Sequence, residues 1–96
     1  MWTVERLHEK RAEILEAAAR HGARNVRVFG SVARGEARED SDVDFLVELE
    51  PGRSLFDLAH FWGELEDILG CKVDVATEGG LHPVLEEAIA SDVQPL

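Results

Sequence analysis

Four residues in this 96-residue chain stand out for the chemistry their types and spacing allow. Gly30 and Ser31 lie side by side, and after ten intervening residues come Asp42 and Asp44 at alternate positions. Val43, Phe45 and Val47 interleave with and follow the aspartates, which is the pattern of a half-buried strand. A strand has a side-chain period of two, so Asp42 and Asp44 project from one face, a few ångströms apart. Carboxylates that close repel each other and are pushed up in pKa unless a cation joins them. Mg²⁺ is a fitting cation, since it takes one or two carboxylates together with substrate phosphates. The Gly-Ser pair offers the complementary half. Glycine lets the backbone approach a ligand closely, and the free N–H groups at a helix start favour phosphate.

These residues need elements to hold them. Thr3 to about His21 reads as one amphipathic helix with Val4, Leu7, Ile14, Leu15 and Ala18 near one face, Thr3 as its cap and Gly22 as its stop. Asn25 to Phe29 reads as a first strand, Ser31 to Gly35 as a single helical turn with Ser31 as its cap, and Asp42 to Leu49 as a second strand after a polar loop. Pro51-Gly52 marks a turn. Ser54 then caps a helix from Leu55 to about Leu69, with Leu55, Leu58, Trp62, Leu65 and Leu69 on its apolar stripe and Gly70 as stop. A third strand spans Lys72 to Ala76, a glycine-containing loop Thr77 to Leu81, a last helix Pro83 to about Ala90, and an extended tail Val93 to Leu96.

Composition narrows the function classes. The length fits a single domain over residues 1–96, and 45% apolar residues argue against disorder. The net charge of −10 is uneven: residues 1–38 carry eight Lys or Arg against five acids, residues 39–96 two against fifteen. So acidic a chain is a poor binder of long nucleic acid, whose phosphates it would repel. The basic residues near the Gly-Ser turn, Arg27, Arg34 and Arg38, suit a nucleoside triphosphate instead. Arg34 and Arg38 read equally as solvated surface charges. Arg34 is the better phosphate ligand of the two because it lies nearer the turn and a guanidinium grips phosphate bidentately. A single cysteine, Cys71, excludes an intrachain disulfide and reads as a small core residue, and the four histidines show no ligand spacing. No apolar run has the length of a membrane span and the N-terminus lacks a signal peptide's apolar core, so the expected setting is the cytoplasm.

The run from Val28 to Val47, V-F-G-S-V-A-R-G-E-A-R-E-D-S-D-V-D-F-L-V, resembles the G-S-x10-D-x-D signature of the nucleotidyltransferases related to DNA polymerase beta. Within them it is similar to the minimal nucleotidyltransferases (MNT), the small partners of HEPN proteins, and the likeness covers most of the chain. The resemblance implies an α/β fold: a small mixed β-sheet of at least three strands with helices packed mainly on one face. It also implies a third carboxylate on a later strand. Asp74 stands there, in K-V-D-V-A, although by itself it reads equally as an ordinary exposed strand aspartate. Asp42, Asp44 and Asp74 would then be the catalytic, metal-holding residues for two Mg²⁺ ions, or Mn²⁺, roughly 3.5–4 Å apart. Gly30, Ser31 and Arg34 would bind the nucleotide.

The activity implied is transfer of AMP from ATP to a hydroxyl, a tyrosine of a HEPN toxin, so that the chain acts as antitoxin and forms a hetero-oligomer with its partner. Two alternatives remain open at this level. One is a non-catalytic antitoxin that neutralises a HEPN ribonuclease by sitting on it. The other is a small-molecule nucleotidyltransferase, against which stands the lack of the second domain that larger relatives use to hold such substrates.

Overall fold

The structure is a computed structural model, described over residues 1–77 and 92–96. The expected last helix, Pro83 to Ala90, and most of the loop before it lie outside the described residues.

The N-terminal region is two helices rather than one. Helix α1 (Val4–Glu9) is capped by Thr3, whose Oγ1 accepts the Arg6 amide at 3.1 Å, and helix α2 (Arg11–His21) follows. Lys10 separates them at φ −98° and ψ 5°, and its amide reaches Leu7 O at 3.0 Å, tightening the turn. The break leaves the apolar phase intact, so periodicity alone reads straight through it. Leu7, Ile14, Ala17 and Ala18 are buried on the shared face. Gly22 ends α2 with a left-handed φ of 74°, a conformation that favours glycine, and the Arg53 side chain packs over it.

Strand β1 (Ala23–Phe29) starts two residues earlier than expected and contains a register shift between Arg24 and Arg27, with Asn25 at φ 51°. It leads directly into the short helix α3 (Gly30–Arg34). Strand β2 (Val43–Leu49), helix α4 (Leu55–Leu69), strand β3 (Val73–Thr77) and the two-residue strand β4 (Gln94–Pro95) complete the described elements. The four strands form one mixed sheet in the order β3-β2-β1-β4. β1 is antiparallel to both β2 and β4, whereas β2 and β3 run parallel. This matches the expected small mixed sheet, and the extended tail is the fourth strand.

One face of the sheet is apolar and covered. Val43, Phe45 and Val47 of β2 are fully buried, as are their register neighbours Val28 and Val73. Helix α2 packs against β1, α4 against β3, and the two helices against each other. Of α4, it is Phe61, Leu65 and Leu69 that are buried. Leu55, expected on the apolar stripe, is 78% exposed because it opens the helix beside its cap, and Phe61 takes the central core position instead. Ser54 caps α4 as expected, in a reciprocal box with Asp57.

Helix α4 also fixes the start of β3. Trp62 Nε1 donates to Val73 O at 2.6 Å, and Glu66 Oε2 accepts the Val73 amide at 3.2 Å. Both backbone groups of Val73 are thus satisfied by side chains, one residue before Asp74. Among the described residues no helix is long and apolar enough to cross a membrane.

Candidate active site

The opposite face of the sheet carries the acids, and strand register brings them together. Phe29 of β1 pairs with Asp44 of β2, and Asp44 pairs with Asp74 of β3. Neighbouring strands lie about 4.8 Å apart, so Asp44 and Asp74 emerge side by side. The Asp44 carboxyl is pushed up from 3.8 to about 6, first by burial, then by the negative charges of Asp74 and Asp42, with a hydrogen bond to Asp74 adding to the rise. Such a bond between two carboxyls requires a proton on one of them. Arg34 opposes the rise from a distance.

Asp42 is set differently from expectation. Strand β2 begins at Val43, so Asp42 lies in the loop just before it and acts on Asp44 by charge. Among the described residues no three His, Cys, Asp or Glu side chains converge into a ready-made metal cluster. The donor set nonetheless fits divalent cations on chemical grounds. Hard carboxylate oxygens lie in register, and burial together with the neighbouring carboxylates pushes the Asp44 carboxyl up to about 6, a rise that a bound cation would offset.

The glycine of the Gly-Ser pair is positioned by this same carboxyl. Phe29 is extended, and Gly30 then turns the chain into α3 with φ 75°. A Cβ on Gly30 would overlap Oδ2 of Asp44 and come 3.2 Å from its Cγ. The glycine therefore serves both the turn and the close approach of backbone to carboxylate. Ser31 is not the cap of α3, contrary to expectation. Phe29 occupies that position with no side-chain bond, and Ser31 is the second helical residue.

Arg34, at the end of α3, is already engaged. Its Nη1 donates to Asp92 Oδ2 at 2.8 Å and its Nε to Glu36 Oε2 at 3.1 Å. These bonds, Asp92 first, push its pKa further up. Asp92 lies 58 residues away in sequence, and no local signal pointed to it. Gln94, equally unforeseen, donates from Nε2 to Ala33 O at 2.7 Å. Arg38 lies in the following loop, where its amide donates to Ser41 Oγ at 2.8 Å.

The sequence model of the nucleotidyltransferase domain matches residues 10–95. The chain belongs to the nucleotidyltransferase family. A Methanocaldococcus jannaschii chain assigned as a protein adenylyltransferase is 41% identical over 86 residues, covering 90% of this chain and 92% of that one. A solved structure assigned to the minimal nucleotidyltransferases is 52% identical with a TM-score of 0.86, covering 98% of this chain and 96% of the other. A Shewanella oneidensis complex of a tri-AMPylated HEPN toxin with its MNT antitoxin has a TM-score of 0.69 at 14% identity, covering 92% of this chain and 69% of that one; this likeness is one of fold alone.

As a minimal nucleotidyltransferase, the chain is an enzyme of the transferase class with the polymerase-beta-like fold. Its sheet places Asp44 and Asp74 in register, its β1–α3 turn presses Gly30 against Asp44, and Arg34 sits one helical turn beyond Gly30.

Proposed function

We propose that this chain transfers the AMP moiety of ATP to a hydroxyl of a partner protein, a tyrosine of a HEPN-type toxin, and thereby acts as its antitoxin in the cytoplasm. The observation that carries the reading is the Asp44–Asp74 pair. Two carboxyls lie in register, one pushed up to about 6, beside a glycine with no room for a side chain. Asp42, Asp44 and Asp74 are the residues that would hold two Mg²⁺ ions, or Mn²⁺ in their place. Bound there, the ions would offset the carboxylate charge, polarise the phosphoryl oxygens and acidify the acceptor hydroxyl.

The chain's own residues have separate tasks in this reading. Gly30 keeps the turn beside Asp44 free of side-chain atoms, which leaves room for phosphate oxygens. Ser31 follows with a hydroxyl that has no hydrogen-bond partner among the described residues. Arg34 meets the outer phosphates with its guanidinium. Asp74 is exposed on its strand and accepts the proton of the acceptor hydroxyl. The acceptor oxygen then bonds to the α-phosphorus, the α–β phosphoanhydride bond breaks, and pyrophosphate leaves.

Two further observations support a protein acceptor. The Methanocaldococcus relative is assigned as a protein adenylyltransferase, and the fold recurs in the antitoxin bound to an AMPylated HEPN toxin. The chain also exposes Leu55 and Phe56, each 78% accessible, at the start of α4, where an apolar partner surface can cover them. The test replaces Asp42 and Asp44 together with Asn and follows label from α-labelled ATP into the co-expressed partner. Transfer is expected to fall by orders of magnitude while the complex persists on size exclusion. Undiminished transfer refutes the assigned site. Protection from the toxin that survives the loss of transfer assigns neutralisation to steric binding.

A further inference from the structure

The C-terminal segment is anchored to the fold at more points than the pairing of its two-residue strand alone supplies. Gln94 binds Ala33 O of α3, the Leu96 amide reaches Val26 O of β1 at 3.2 Å, and Arg11 Nε of α2 reaches Leu96 O at 3.1 Å. Leu96 is itself buried against the core. These tethers fix the segment that carries Asp92 beside α3, where Asp92 takes Nη1 of Arg34. Glu36 takes Nε from the other side. Nη2 carries no hydrogen bond among the described residues.

The charges here oppose an anionic ligand. One guanidinium faces Asp92 and Glu36 directly and Asp44 at longer range. A triphosphate that reaches Arg34 therefore meets a cation whose charge is already balanced twice. To gain the full charge-assisted bond it has to displace Asp92 or share the guanidinium with it. Because Asp92 is tethered, it returns at high effective concentration whenever the phosphates leave.

We infer that Asp92 is an affinity-setting residue of the nucleotide site: a resident counter-anion, held in place by the C-terminal strand, that competes with the nucleotide's phosphates for Arg34. This rests on the reading of Arg34 as a phosphate ligand and deepens it. Glu36 acts in the same sense but is the more exposed of the two and its contact with the guanidinium is longer, 3.1 Å against 2.8 Å, so Asp92 is the stronger competitor.

The test is calorimetric binding of the ATP analogue AMP-PNP, with Mg²⁺, to the full chain. Asp92→Asn keeps an oxygen acceptor for Arg34 and removes the charge. It is expected to bind the analogue about two- to fivefold more tightly than wild type, the range set by what partly exposed ion pairs contribute. Asp92→Glu should bind like wild type, and added salt should shrink the gain. In an Arg34→Gln background the Asp92→Asn change should make no difference, a result that a merely structural effect would not give. Glu36→Gln provides a second route, with a smaller gain expected, should Asp92→Asn lower the melting temperature. Weaker binding by Asp92→Asn means that Asp92 presents Arg34 rather than masks it, and overturns the inference. Unchanged binding, or a gain that persists without Arg34, overturns it too. If the wild type itself does not bind AMP-PNP, the nucleotide reading of the site falls, and this inference with it.

Discussion

Replacing Asp44 with Asn isolates the electrostatic cost built into the site. Its carboxyl is pushed from 3.8 to about 6, chiefly by burial and then by Asp74 and Asp42. At about 1.4 kcal/mol per tenfold change in proton affinity, the shift corresponds to about 3 kcal/mol as an upper bound. The carboxyl is only partly buried, and solvent screening reduces this to about 1–2 kcal/mol. The folded chain holds the Asp44 proton more tightly than the unfolded chain, so protonation favours folding. The cost is fully present above about pH 6 and disappears as the pH falls toward 4. Asn mimics the protonated acid, since its amide can donate to Asp74. Asp44→Asn is therefore expected to be more stable than wild type at pH 7.5 by about 1–2 kcal/mol, without divalent metal. For a domain of this size each kcal/mol raises the melting temperature by about 4–8 °C. The assay is urea denaturation of both proteins from pH 4 to 8 in EDTA. The stability difference should shrink steadily toward pH 4 and nearly vanish there. A variant less stable than wild type at pH 7.5, or a difference that does not change with pH, refutes the reasoning.

Three other outcomes follow from the same geometry. Gly30→Ala should cost about 1–3 kcal/mol, because φ is 75° there and the new Cβ overlaps the Asp44 carboxylate; a loss below about 0.5 kcal/mol in urea denaturation would contradict the close approach. Trp62→Phe should cost about 1 kcal/mol by leaving Val73 O without its partner, and an unchanged denaturation midpoint would show that this bond does not hold β3. Mg²⁺ with AMP-PNP at about 100 times its dissociation constant should stabilise the wild type by about 2.7 kcal/mol, and nucleotide without metal by much less. The Asp42→Asn, Asp44→Asn double variant should lose the metal-dependent part of that stabilisation, as read by thermal melting.

The sequence determined the parts that depend on near neighbours. Helix α4 runs from Leu55 to Leu69 as read, because a reciprocal Ser54–Asp57 cap and Gly70 act within one turn of the ends they define. Gly22 and Gly35 stop their helices for the same local reason. The alternation through Val43, Phe45 and Val47 marked the buried face of β2 and, by default, set Asp44 on the other. The resemblance carried by the Gly-Ser and Asp-x-Asp spacing pointed to the family, which the match over residues 10–95 bears out.

What only the tertiary structure decided depends on how distant segments meet. The break at Lys10 keeps the apolar phase, so no periodicity exposes it. Leu55 and Phe61 both fit an apolar stripe, and only docking on the sheet buries one and leaves the other 78% exposed. That Asp44 lies beside Asp74 follows from the β2–β3 register, and that register is held in part by Trp62 and Glu66 on a different element. Gly30 reads as a turn residue; its contact with Asp44 appears only once β1 and β2 are paired. The pairing of Arg34 with Asp92 spans 58 residues and exists because β4 adds to the far edge of the sheet. Local rules fix conformations within a turn or two, whereas ion pairs and register are properties of the closed sheet, so the chemistry was legible in residue types and its electrostatic balance only in the fold.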